Sequence, residues 1–230
     1  MSKNKSTLIE RNPIERSLNF LNIEEIVPLD YLLGVQDYLL RKDSNNRSQD
    51  YLAGRLDTKN QLKLVTSYEK PKTESNSDQY WREAGSGSMF HFDQVTKDYS
   101  NQSLKVGLDR NQIDKEFIPY LKELNNLDNV ATLWSCWGHP NKGYLVLRFK
   151  MDLIDVYQKI FNPLYEITNP LPWTSSIILA TYPQTFVKYQ LIFKQMRVNS
   201  DDKLSLHHIT EDEDKHFLLQ NFIRLVQKAV

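Results

Sequence analysis

The chain has 230 residues, 40% of them hydrophobic, and its 29 lysines and arginines balance 29 aspartates and glutamates. That length suits one large domain or two small ones and allows a substantial core. A net charge of zero and a pI near 7.0 exclude a uniformly basic nucleic-acid coat, though not a local basic patch.

Residues 1–7 are polar and read as a disordered start. No run of about 7–15 apolar residues follows them, and none approaches the roughly 20 that a membrane helix needs. A soluble, cytoplasmic protein with no membrane partner is therefore expected. The one cysteine, Cys136, excludes an intramolecular disulfide or a Cys-only zinc site within one chain and fits a reducing compartment. Lysine, asparagine and tyrosine are frequent while alanine and glycine are scarce, a bias that suits an AT-rich genome such as a phage's.

Apolar spacing over Leu8–Leu21 predicts a helix that starts near Pro13, where proline fits a first turn. Tyr31, Leu32, Val35, Tyr38 and Leu39 recur at helical spacing and predict an amphipathic helix to about Arg41. Residues 42–49 read as a loop. Leu62–Tyr68 alternates like a strand, residues 69–79 read as a solvated stretch, and residues 80–104 are mixed. No internal repeat and no coiled coil is read.

The second half is better patterned. Ile113, Phe117, Ile118, Leu121 and Leu124 form a helical stripe with a kink expected at Pro119. Val130–Cys136 and Tyr144–Phe149 read as strands joined by the turn residues 139–143. Leu153–Ile160 reads as a short helix that Pro163 stops. Ser175–Tyr182 and Phe186–Met196 read as a second hairpin. Thr210 with Glu213 forms a capping box ahead of an apolar-periodic terminal helix, whose acidic first turn suits the helix dipole. The elements together predict an α+β fold. A mainly antiparallel sheet carries helices on one face over residues 105–230, and an N-terminal helical and irregular portion covers residues 1–104.

The constellation that carries chemistry is Ser135-Cys136-Trp137-Gly138-His139. A strand ends in Ser-Cys, and a glycine then allows backbone conformations closed to other residues. Exposed amides there make a small anion-binding nest conceivable, with Trp137 and Gly138 as partner or anion contacts. A protonated His139 beside Cys136 would lower the thiol pKa. The bland alternative is a core cysteine and a histidine making turn contacts. Ser135, Cys136 and His139 are the candidate catalytic residues.

The stretch from Ile113 to Asn126, followed by Ala131-Thr132-Leu133-Trp134-Ser135-Cys136-Trp137-Gly138-His139, resembles a module of the wybutosine-synthesis methyltransferase family. That family pairs such a helix with a Thr-Ser-Ser-Cys-Ser-Gly-Arg motif, and uncharacterised phage and bacterial proteins carry Ser-Cys-x-Gly-His after a similar helix. The resemblance covers about 40 residues and implies an RNA-modifying enzyme with Ser135, Cys136 and Gly138 in its active site. His139 stands where the family has arginine, and Trp134 and Trp137 replace its flanking serines.

Other candidates are weaker. Gly85-Ser86-Gly87-Ser88 lacks the Gly-Lys-Ser/Thr of a P-loop, and His91-Phe92-Asp93 reads as a strand edge. His207, His208 and His216 flank the acidic run but match no zinc spacing, so no metal site is indicated, and the sequence leaves any cofactor open. Arg148 and Lys150, then Lys188, Lys194 and Arg197, lie beside aromatics on predicted strands and form the candidate nucleic-acid face. Two functions fit. One is an accessory or binding protein, possible in a phage, with a protein or RNA partner. The other is an RNA-modifying enzyme of the wybutosine-synthesis type.

Overall fold

The computed structural model describes residues 17–23, 26–66, 94–138, 143–169, 171, 173–180, 186–198, 204–209 and 211–230. The chain begins with strand β1 (Ser17–Ile23), then helices α1 (Leu29–Leu39), α2 (Gln49–Thr66), α3 (Gln94–Asp109) and α4 (Ile118–Asn125). Strands β2 (Val130–Cys136) and β3 (Tyr144–Phe149) follow. Helix α5 (Leu153–Val156) continues through a π-helical turn (Tyr157–Phe161) into α6 (Asn162–Thr168). Strands β4 (Thr174–Ala180), β5 (Phe186–Ile192), β6 (Lys194–Val198) and β7 (Leu204–His208) precede the terminal helix α7 (Asp212–Ala229). The fold is α+β.

Five strands form an antiparallel sheet in the order β1-β4-β5-β3-β2, and β6 pairs with β7 in a separate hairpin. Register sorts the side chains by face. Leu145 stands opposite Leu191 and Leu147 opposite Tyr189, and all four are buried with Phe149 on the face that α1, α4, α5, α6 and α7 cover. One cluster of buried apolar residues runs from Val27, Leu32 and Val35 on the N-terminal side through Ile160 and Phe161 to Phe222 and Val226. The residues before 105 thus share a sheet and a core with those after it.

Several expected elements change. The segment read as a helix from Pro13 is strand β1 over its described part, where pairing with β4 supplies the hydrogen bonds that the pattern alone did not reveal. Leu62–Thr66 is the last turn of α2, not a strand, because it continues a helix that starts at Gln49. Pro119 lies in the first turn of α4, where its missing N–H costs nothing, so it begins the helix instead of kinking it. Pro163 does not stop the helix either. The π turn before it sends the Asn162 N–H to the Tyr157 carbonyl five residues back, and this re-spaced turn accommodates the proline. Residues 186–196 divide at Phe193, whose N–H bonds to the Gly143 carbonyl and whose carbonyl accepts from Ile209. Residues 85–88 and 91–93 lie outside the described residues.

Helices α1 and α2 carry a repeat that sequence reading missed: Asp30-Tyr31-Leu32-Leu33-Gly34 recurs as Asp50-Tyr51-Leu52-Ala53-Gly54. The contacts are reciprocal. Tyr31 donates to Asp57 at 3.0 Å and Tyr51 donates to Asp37 at 3.1 Å. Gly34 lies against the Tyr51 carbonyl, and Gly54 lies against the Tyr31 carbonyl. The two helices meet backbone to backbone across an approximate local twofold.

The helical face of the sheet also holds one unmet polar group. Tyr189 is 2% exposed and its hydroxyl finds no hydrogen-bond partner among the described residues. Burial raises its pKa far above the ordinary phenol value, with Asp152 adding to the shift and Arg148 opposing it. Tyr189→Phe removes a desolvated hydroxyl and leaves the ring contacts to Phe149 and Tyr157 in place. We expect it to stabilise the fold by about 1 kcal/mol. Urea denaturation checks this, and a loss of stability would show that the hydroxyl is satisfied.

Candidate functional site

Strand β2 ends at Cys136, paired with Tyr144, after Ser135 paired with Leu145. A bulge between Thr132 and Trp134 shifts the register just upstream, and bulges re-aim the side chains that follow them. Ser135 and Cys136 are half-buried, so the thiol is neither sealed in the core nor fully open. Gly138 has φ of +130°, a conformation that side-chain-bearing residues rarely adopt. His139 lies outside the described residues.

Trp137 departs most from expectation. Read as a partner or anion contact, it is 3% exposed and belongs to the core. Its indole meets Phe117 edge-on at 5.1 Å, Phe193 at 6.3 Å and His216 at 5.0 Å between ring centroids. The cause is the arrival of α7 and of the bend at Phe193, which close over the turn from distant parts of the sequence.

Two carboxylates hold the same tryptophan. Its backbone N–H donates to Asp114 Oδ2 at 2.6 Å, and its indole Nε1–H donates to Asp212 Oδ1 at 2.8 Å. Lys215 donates to the same Asp212 oxygen at 3.2 Å and places its ammonium 5.2 Å from the indole centroid. Beside them, the Tyr120 hydroxyl and His216 Nδ1 are hydrogen-bonded at 2.5 Å. Burial raises the Tyr120 phenol above its ordinary pKa. The turn therefore sits among Asp114, Tyr120, Asp212, Lys215 and His216. The signals for these were present in sequence: Asp114 and Tyr120 lie in the stretch that carries the resemblance, just before and within α4, and Asp212, Lys215 and His216 lie in the acidic terminal segment. The sequence pattern of that segment is a capping box. Thr210 lies outside the described residues, and Glu211 occupies the N-cap position with no side-chain cap bond. Asp212 is turned instead to Trp137 and Lys215.

The hydrogen bonds from Trp137 and Lys215 hold the Asp212 carboxyl below the usual aspartate value. A carboxyl depressed in the folded state stabilises above its unfolded pKa and loses that contribution as pH falls through the folded value. Wild type should therefore lose more stability than Asp212→Asn as pH falls below about 4. Thermal melts across that range check it, and equal losses would remove the assigned role of the charge.

The candidate nucleic-acid face loses one of its members. Arg148 is 2% exposed within the sheet, which removes it from any solvent-facing phosphate contact. Ala131 stands opposite it on β2, and the burial of both shows that this face of the strand is covered. Lys150 is exposed just beyond β3. Lys188 lies on β5, and Lys194 and Arg197 lie on β6, with Lys194 paired to His208 and Arg197 to Ser205.

Among the described residues, no group of three or more His, Cys, Asp and Glu side chains is placed to hold a metal. None of the described helices is long and apolar enough to cross a membrane. Comparison with protein families, with curated proteins and with solved structures finds no match.

Proposed function

We propose that the chain is a cytoplasmic accessory or binding protein, of phage or bacterial type, that meets a protein or RNA partner at the turn after β2. The observation that supports this reading is the fixation of Trp137 beneath half-buried Ser135, Cys136 and Gly138. A turn held before the partner arrives avoids part of the ordering cost of binding. The lone cysteine provides the test. A photoactivatable maleimide attached to Cys136 should cross-link one dominant species in extract of the native host, and ribonuclease treatment distinguishes RNA from protein. The same label on a Cys136→Ser, Glu166→Cys variant, placed on exposed α6, should not capture it. Equal capture from both sites would count against the turn as the contact surface.

A second reading is an RNA-modifying enzyme that resembles the wybutosine-synthesis methyltransferases, with Ser135, Cys136 and His139 in its active site. Its support is the partial exposure of Cys136, together with the hydrogen-bonded Tyr120–His216 pair, two groups able to move protons, whose histidine ring packs against the adjacent residue Trp137. Isothermal titration with S-adenosylmethionine tests it. Absence of heat at protein concentrations that detect a Kd of about 0.1 mM would exclude the methyltransferase form.

A further inference from the structure

A buried indole N–H needs one acceptor, and a backbone N–H at a strand end needs one. Either need is commonly met by a nearby carbonyl. At Trp137 both are met by ionisable side chains from two separate elements. Asp114 precedes α4, 23 residues away in sequence, and Asp212 opens α7, 75 residues away. Hydrogen bonds to charged acceptors are short and directional. Asp212 is largely solvent-exposed, at 61% of its side-chain surface, and Asp114 is half-exposed. Solvent screening makes such groups weak contributors to global stability. Their directionality remains, and both act on the residue between Cys136 and Gly138.

We infer that Asp114 and Asp212 are positioning residues: their carboxylates, acting through Trp137, set the conformation in which the Ser135–Gly138 turn meets its partner. The inference rests on the reading of that turn as the contact surface. It also makes α7 part of the site, since Asp212 carries the turn's geometry from the first residue of that helix. Lys215 completes the arrangement, bonded to Asp212 and lying near Gly138.

Reaction of Cys136 with a chromogenic aromatic disulfide reports the turn without any partner, because no other thiol is present. In folded protein, Asp114→Ala and Asp212→Ala should each change the modification rate by about tenfold, because access and orientation govern thiol reactivity. Asp114→Asn and Asp212→Asn keep an acceptor oxygen and should restore most of the wild-type rate, which a charge-only role would not produce. Trp137→Phe deletes the indole donor but keeps an aromatic ring, and should match Asp212→Ala. It also serves should Asp212→Ala fail to fold, just as Asp114→Asn paired with Asp114→Ser serves for the other arm. Rates within about threefold of wild type in the folded Ala, Ser and Phe variants would overturn the inference. Cross-linking from Cys136 decides the reading on which it rests. Altered thiol rates with unaltered partner capture would mean that the carboxylates set the turn, but that the turn is not the contact surface.

Discussion

Gly34→Ala and Gly54→Ala should each destabilise the protein by about 2 kcal/mol, although alanine is the better helix former by about 1 kcal/mol. The reason is the backbone contact between α1 and α2. A Cβ on Gly34 would lie 2.1 Å from the Tyr51 carbonyl oxygen, and one on Gly54 would lie 2.2 Å from that of Tyr31. Neither obstacle is a movable side chain, so the helices must separate. Separation stretches the Tyr31–Asp57 and Tyr51–Asp37 hydrogen bonds and withdraws buried Leu32, Val35 and Leu39 from the core. Once the helices part for one methyl group, the second costs less. The double variant should therefore lose clearly less than the sum of the singles. Ala53→Gly, at an exposed position beside Gly54, should show the ordinary helical cost of about 1 kcal/mol. Urea denaturation of the four variants measures all of this. Alanine that stabilises at position 34 or 54 would refute the close approach.

Lys97→Met should cost about 3 kcal/mol. Lys97 is 7% exposed, and its ammonium donates to three backbone carbonyls, those of Asn125 and Leu127 at 2.6 Å and of Val130 at 2.7 Å. Three donated hydrogen bonds require the charged form, because a neutral amine has only two protons to give. Burial lowers the pKa of this lysine, and Asp128 works in the opposite direction. The cation satisfies the C-terminal end of α4 and ties α3 to the edge of β2. Ser100 adds a bond to the Thr132 carbonyl at 2.7 Å, and Asn125 Oδ1 accepts from the Thr132 N–H at 3.1 Å. In Lys97→Met the Leu127 carbonyl keeps its bond from Val130, while the Asn125 carbonyl loses its cation. Methionine preserves the apolar stem, so the measured loss isolates the ammonium. Hydrogen exchange should show α3 and the β2 edge opening at lower free energy than α7. A loss below about 1 kcal/mol would show that solvent replaces the lysine at those carbonyls.

The strands β2 and β3 are legible in the sequence to the residue, because each is a short apolar run bounded by turn residues. The terminal helix is legible for the complementary reason: Phe217, Leu218, Phe222, Leu225, Val226 and Ala229 recur at helical spacing, and the buried face takes Leu218, Phe222 and Val226 from that set, adds Leu219 and Ile223, and leaves Phe217 exposed. Local pattern misled where a neighbour decided the outcome. Ser17–Ile23 becomes a strand because β4 is available to pair with it. The chain passes Pro163 because the preceding turn widens. The repeated Asp-Tyr-Leu-x-Gly was visible in the letters, but its meaning depends on two glycines facing each other across a helix pair.

The candidate site divides along the same line. Sequence by itself determined that Ser135 and Cys136 end a strand and that a glycine-containing turn begins after them, since strand pattern and glycine turn chemistry are local properties. Only the tertiary structure decided that Trp137 is an anchor and not a contact surface, and that Arg148 is buried. It also decided that Asp114 and Asp212 meet at one tryptophan. Burial and hydrogen bonding between residues 23 and 75 positions apart depend on how helices and sheet close over one another, and no local spacing encodes that closure.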